Sequence, residues 1–205
     1  MKPARIERAA LVEAARAAGP DAPTLCDAWT VRELLAHLVV RESRLDAAPG
    51  ILIKPLAKYT EHVQAGVASR SFDRLLSEVA GGPPRFSPFR LIDEQANLAE
   101  YFVHTEDIRR ASPGWRPRRL DPAVERGLIA AVARMARLTL RGAPLRISLT
   151  TERGTVVSAG KGNPVAVIGA PGEITMWAFG RDDALVTFEG KDADIDLLAK
   201  VTRSL

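Results

Sequence analysis

The sequence has a single cysteine, Cys26, three histidines and only 5% aromatic residues in 205. One cysteine excludes an internal disulfide. No apolar run approaches the roughly 20 residues of a membrane span. Met1-Lys-Pro-Ala-Arg5 leads into a charged amphipathic stretch rather than an apolar leader. A soluble, cytoplasmic chain with no membrane partner is the expectation, as a monomer or homodimer. Internal repeats and low-complexity tracts are missing as well. At 46% hydrophobic and 26% charged, the chain can bury one large core or two small ones.

Acidic residues are in deficit, giving a net charge of +4. The arginines cluster at Arg109-Arg110 and Arg116-Pro-Arg-Arg119. These clusters have no interleaved aromatics and sit beside Pro113, Gly114 and Pro117, which argues for a solvated connector and against nucleic acid. The same charge suits a small anion. Cys26, alone and just before a helix start, reads as a packed or partly exposed residue rather than a reactive one.

Helical signals fill the first two thirds. Residues 4–18 repeat alanine and leucine and stop at Gly19-Pro20. Thr30-Val-Arg-Glu33 is a capping box opening a helix over about 31–46, with Trp29 and Leu34 placed as a hydrophobic staple. Its apolar stripe is Val31, Leu34, Leu35, Leu38 and Leu45, and His37 lies at the stripe's edge near Arg41 and Arg44. Residues 51–80 predict one or two further helices, and His62 there reads as a surface residue. A long helix follows over about 89–110. A fourth runs over about 121–141, opened by Asp121-Pro122.

From Leu145 the period changes to two. Leu145, Ile147 and Leu149 alternate with polar residues, and Glu152-Arg-Gly154 turns into Thr155-Val-Val-Ser158. Val165-Ala-Val-Ile168 and Ala184-Leu-Val-Thr-Phe188 are further strands. Short helices are predicted after Pro171 and Asp192. The fold class is therefore α+β, with a helical bundle over 1–143 and a small α/β domain over 144–205.

The chemistry concentrates on the 89–110 helix. Leu91, Leu98, Ala99 and Phe102 form one stripe, and Asp93, Asn97, Glu100, His104 and Asp107 form another. Glu100 and His104 stand four residues apart, so they share a helix face roughly 6 Å apart. With His37 they offer two imidazoles and a carboxylate, a set that leaves positions open as catalytic metal sites do. A polar face turned to water is the competing reading. Tyr101, Val103 and Ile108 flank the strip, however, and enclosed carboxylates and imidazoles need a metal or a partner. Asp107 is a candidate acceptor behind His104 or an alternative ligand.

Thr24-Leu-Cys-Asp-Ala-Trp-Thr-Val-Arg-Glu-Leu-Leu-Ala-His-Leu38 and Glu100-Tyr-Phe-Val-His-Thr-Glu-Asp107 resemble the metal-binding amino-terminal domain of the mycothiol-dependent maleylpyruvate isomerase family, a DinB-like helical bundle. The stretch Val165–Arg181 is similar to that family's sterol-carrier-like carboxy-terminal domain. The resemblance implies a four-helix bundle in which His37, Glu100 and His104 ligate a divalent metal, usually zinc. It implies mycothiol as cofactor and thiol partner, and an electrophilic, anionic small-molecule substrate. Arg181 corresponds to an arginine presented to substrate or thiol, with Arg146 and Arg153 as alternatives. The 51–90 region, with Pro83-Pro84 and Pro88, departs from the family. Isomerase and S-transferase chemistry both fit the resemblance. A non-enzymatic binding or regulatory protein is the alternative, resting on the sterol-carrier-like tail and on Ile174, Met176, Trp177 and Phe179, which at helical spacing read first as core.

Overall fold

In the computed structural model, residues 2–26, 29–44, 46–51, 53–84 and 89–203 are described, with backbone alone at Pro49, Ile51, Lys54 and 89–96. Leu45, Pro88 and the side chains of Leu91 and Asp93 therefore lie outside the described residues. The chain folds into two compact units, Met1–Arg116 and Pro117–Leu205.

The first unit is helical: α1 (Pro3–Ala18), α2 (Val31–Ser43), α3 (Ala57–Ala68), α4 (Phe72–Gly81) and α5 (Phe89–Arg110), with short 3₁₀ turns at Ala48–Ile51 and Lys54–Leu56. α1 packs along α5, and α2 packs against α3, α4 and α5. The capping box forms: Glu33 Oε2 accepts from the Thr30 backbone N at 2.7 Å and from its hydroxyl at 2.9 Å, which fixes where α2 begins. α2 ends before residue 46, because Arg44 leaves helical geometry at φ −113°, ψ 76° and its guanidinium turns to Asp46. α2 is buried nearly all round, from Val31 through Val40 and again at Glu42, with only Arg32 and Glu33 partly exposed over that first stretch. Leu11, Leu34, Leu35, Leu38, Leu75, Tyr101 and Phe102 form the centre of this core.

The second unit holds α6 (Pro122–Thr139), β1 (Arg146–Thr151), β2 (Gly154–Ala159), β3 (Pro164–Ile168), α7 (Pro171–Ala178), β4 (Thr187–Glu189) and α8 (Asp192–Leu198). Its sheet has the order β2-β1-β3-β4. β1 pairs antiparallel with β2 and parallel with β3, and β3 pairs antiparallel with β4. Asp121 caps α6, accepting from Ala123 N at 2.7 Å. The hairpin turn places Gly154 at φ +109°, where a side chain would be strained.

The architecture is α+β, helices first and sheet after, as the sequence pattern implies. The division lies well before the expected residue 143. The reason is the apolar stripe of α6: Val132, Ala136 and Leu140 join Ile147, Leu149, Val157, Val167, Ile174 and Trp177 in one core, so α6 belongs with the sheet rather than serving as fourth helix of a bundle over 1–143. β4 starts three residues later than its apolar run suggests, because Leu185 N donates to the buried Glu173 carboxylate at 2.8 Å instead of to a neighbouring strand. Ile174, Met176 and Trp177 are core, as their spacing indicated, whereas Phe179, just past the end of α7, is half-buried.

Candidate metal centre

The site lies in the first unit, between α2 and α5. His37 Nε2 is 3.8 Å from Glu100 Oε1, and His104 Nε2 is 3.3 Å from the same oxygen. The donor atoms of His37, Glu100 and His104 all fall within 4.8 Å of one another. Ligand atoms around a tetrahedral ion with bonds of roughly 2.0–2.1 Å stand about 3.3 Å apart. The His104–Glu100 edge already has that length, the His37–Glu100 edge needs a shift of a few tenths of an ångström, and the edge between the two imidazoles is at most 4.8 Å. Donor types and spacing thus fit a divalent ion of the zinc kind. The enclosure is also what such a site needs: His37 and His104 are buried, and the Glu100 side chain is 21% exposed.

His104 is held from behind. Its Nδ1 lies 2.9 Å from Asp107 Oδ2, one turn further along α5, and Asp107 is completely buried. A carboxylate on one ring nitrogen fixes the tautomer and aims the other nitrogen, the usual support of a metal-ligating histidine. Cys26 joins this pair, its Sγ donating to Asp107 Oδ2 at 3.0 Å and standing 3.7 Å from His104 Nδ1. The turn carrying Cys26 is tied to α5 by Leu25 N donating to the Asp107 carbonyl at 3.0 Å. Cys26, His104 and Asp107 also satisfy the spacing of a ligand group, but contacts of 2.9 and 3.0 Å are hydrogen-bond lengths. We read them as the brace behind His104. On the other flank Trp29 stacks on His37, ring centroids 4.9 Å apart and tilted by 41°.

The electrostatics agree with this arrangement. Burial disfavours the His37 imidazolium and pulls it below its ordinary value despite the Glu100 carboxylate 3.8 Å away. Burial acts on His104 in the same sense, yet hydrogen bonds to Asp107, Cys26 and Glu100 outweigh it and hold the imidazolium well above its ordinary value. Burial alone would raise Glu100, but the imidazoles of His104 and His37 and the nearby Arg41 charge hold it well below the usual carboxylate range. One histidine is thus tuned neutral, while the other keeps a proton between two carboxylates.

The polar strip of α5 is enclosed, not solvated: Asn97, His104 and Asp107 are all buried. Sequence reasoning placed Arg41 only near His37. In the structure its Nε lies 3.5 Å from Glu100 Oε1 and its Nη1 donates to Asn97 Oδ1. The signal for it was the i, i+4 spacing from His37, the same spacing that links Glu100 to His104. His62 is exposed and outside the cluster. Arg181 lies in the second unit, where its Nη1 donates to the Phe179 carbonyl at 2.8 Å.

Residues 2–94 match the family described as "Mycothiol maleylpyruvate isomerase N-terminal domain", so the family resemblance read from the sequence is borne out over that segment. It includes His37 and ends before Glu100 and His104. Two solved structures resemble the chain over 92% of its length and 91% of theirs. One is a histidine-to-alanine variant of the mycothiol-dependent maleylpyruvate isomerase, at 16% identity and TM-score 0.63. The other is the mycothiol-dependent maleylpyruvate isomerase itself, at 14% identity and TM-score 0.54. At these identities the likeness is one of fold. Among curated proteins none matches the sequence.

Proposed function

We propose that this chain is a metal-dependent enzyme using a low-molecular-weight thiol, mycothiol, to isomerise or S-conjugate a small, electrophilic, anionic substrate. The observation that carries the reading is the convergence of His37, Glu100 and His104 on one point, with His104 braced by Asp107. The amino-terminal family match and the shared fold support it. The three side chains would hold a divalent ion, zinc by donor type. Such an ion supplies a Lewis acid that favours a bound thiol as its thiolate near neutral pH.

The chain's own residues orient and enclose. Asp107 keeps the His104 Nε2 lone pair aimed at the site, and Trp29 keeps the His37 ring in place. The thiolate sulfur adds to one carbon of an activated C=C bond, and the electron pair moves onto the substrate's carbonyl. Rotation about the resulting single bond and expulsion of the thiolate restore the double bond with the other geometry. Protonation of the adduct instead gives an S-conjugate. Neither route needs an oxidant. Arg181 is the proposed anchor for the substrate's anionic group.

Elemental analysis of the purified protein should find one divalent ion per chain. With mycothiol and a cis-configured unsaturated keto acid, ultraviolet absorbance should show either geometric inversion with the thiol conserved or stoichiometric thiol loss. Metal-free protein with neither activity would end the proposal. Arg181→Ala should keep the metal and raise the KM for the anion, and unchanged kinetics would end its proposed role.

Because His104 retains its proton well above the ordinary histidine range, an ion must displace a proton from Nε2 while Nδ1–H stays on Asp107. His37, already tuned neutral, adds no further proton. Apparent zinc affinity should therefore rise with pH, about tenfold per unit while one proton leaves per ion bound. Chelator competition between about pH 6 and pH 8 measures this slope, and a flat profile would show that His104 gives up no proton when the ion binds.

A further inference from the structure

α2 and α5 face each other in antiparallel register: His37 meets Glu100 and His104, and one turn on, Arg41 meets Glu100 and Asn97. Arg41 Nε stands 3.5 Å from Glu100 Oε1, the oxygen that also faces both histidines. Asn97, wholly buried, accepts from Arg41 Nη1 and sets the plane of the guanidinium. The Arg41 side chain is 14% exposed and that of Glu100 21%, so both reach solvent.

A guanidinium here is costly for a site that only holds a cation, because like charges repel across a few ångströms in a poorly hydrated pocket. It becomes useful once an anion is to be held beside the ion. A divalent ion and Arg41 carry three positive charges, against two on the nearby carboxylates Glu100 and Asp107. The planar donor fork of arginine matches a carboxylate better than any other cationic side chain.

We propose that Arg41 is a specificity-determining residue that recognises a carboxylate of the substrate beside the metal centre. This rests on the functional reading above, and adds a recognition element within the same unit as the ion ligands. It also gives Asn97 a task, since a pre-oriented guanidinium loses less freedom on binding.

The test uses the full chain loaded with zinc and calorimetric titration with maleate, a small cis-dicarboxylate, against its neutral dimethyl ester. Wild type should bind maleate at least tenfold more tightly than the ester. Arg41→Gln should lose that preference while holding one zinc per chain at least as tightly as wild type, because a repelling cation has gone. Arg41→Lys, which keeps charge without the fork, should fall between them, and it serves as the test variant if Arg41→Gln does not fold. Maleate binding unchanged in the folded variant overturns the assignment to Arg41 alone. Loss of zinc from Arg41→Gln overturns it too, by making Arg41 a support for the ligand set. Failure of wild type to take up zinc overturns the metal reading itself, and is seen before any maleate is added.

Discussion

Zinc binding by His104→Ala is expected to fall on the order of 10²–10³-fold, taking the roughly 10–16 kcal/mol of a four-ligand zinc peptide as shared evenly among its ligands. After dialysis the variant should carry no stoichiometric ion. The substitution also takes a hydrogen-bond partner from the completely buried Asp107, so some stability should be lost with the metal. Two further variants separate these effects. His104→Gln leaves an amide able to reach Asp107, and should recover stability without recovering zinc. Glu100→Gln keeps shape and removes only the charge of the shared ligand, and should lose zinc while staying folded. His62→Ala, on an exposed residue, should change nothing. Elemental analysis with thermal melts reads all four, and a His104→Ala protein that retains one zinc would end the case for this centre.

Much of this centre was legible in the sequence. The i, i+4 spacing of Glu100 and His104 is local information, as is the capping box that sets the phase of α2 and so the face on which His37 projects. What spacing does not carry is the partner. The 89–110 helix shows apolar residues nearly all round, so periodicity leaves it open whether Asn97, His104 and Asp107 face water or a neighbour. The structure resolves this by packing α1 and α2 on that helix. The same limit explains α6. Val132, Ala136 and Leu140 announce a buried stripe, and a stripe packs equally well on a helix or a sheet. The brace from Cys26 and the contact of Arg41 with Asn97 were out of reach for a related reason: each joins segments more than fifty residues apart.

The Arg109-Arg110 cluster shows what composition alone misreads, and it yields the second large effect. Arg110 belongs to no solvated connector: its side chain is 1% exposed, its Nε donates to Glu106 at 2.8 Å, and Glu106 is equally buried. Its guanidinium stacks over Trp115, 4.2 Å from the ring centroid, and Arg109 adds a second bond to Glu106 at 2.8 Å. Charge engaged in this way is not offered to phosphates. Arg110→Met keeps the apolar stem but leaves Glu106 short of a buried partner. Removing one member of such a pair costs roughly 3–5 kcal/mol, and the remaining Arg109 bond should hold the loss near the lower end, about 3 kcal/mol. Arg110→Lys keeps the charge without the fork or the stacking, and should lose about half as much. The double variant Arg110→Met/Glu106→Leu, with no stranded charge, should recover most of the stability. Urea denaturation followed by circular dichroism at 222 nm measures the series. A single variant as stable as wild type would show that the pair contributes nothing, and a double variant no better than Arg110→Met would place the loss in packing rather than in the carboxylate that has lost its Arg110 bond.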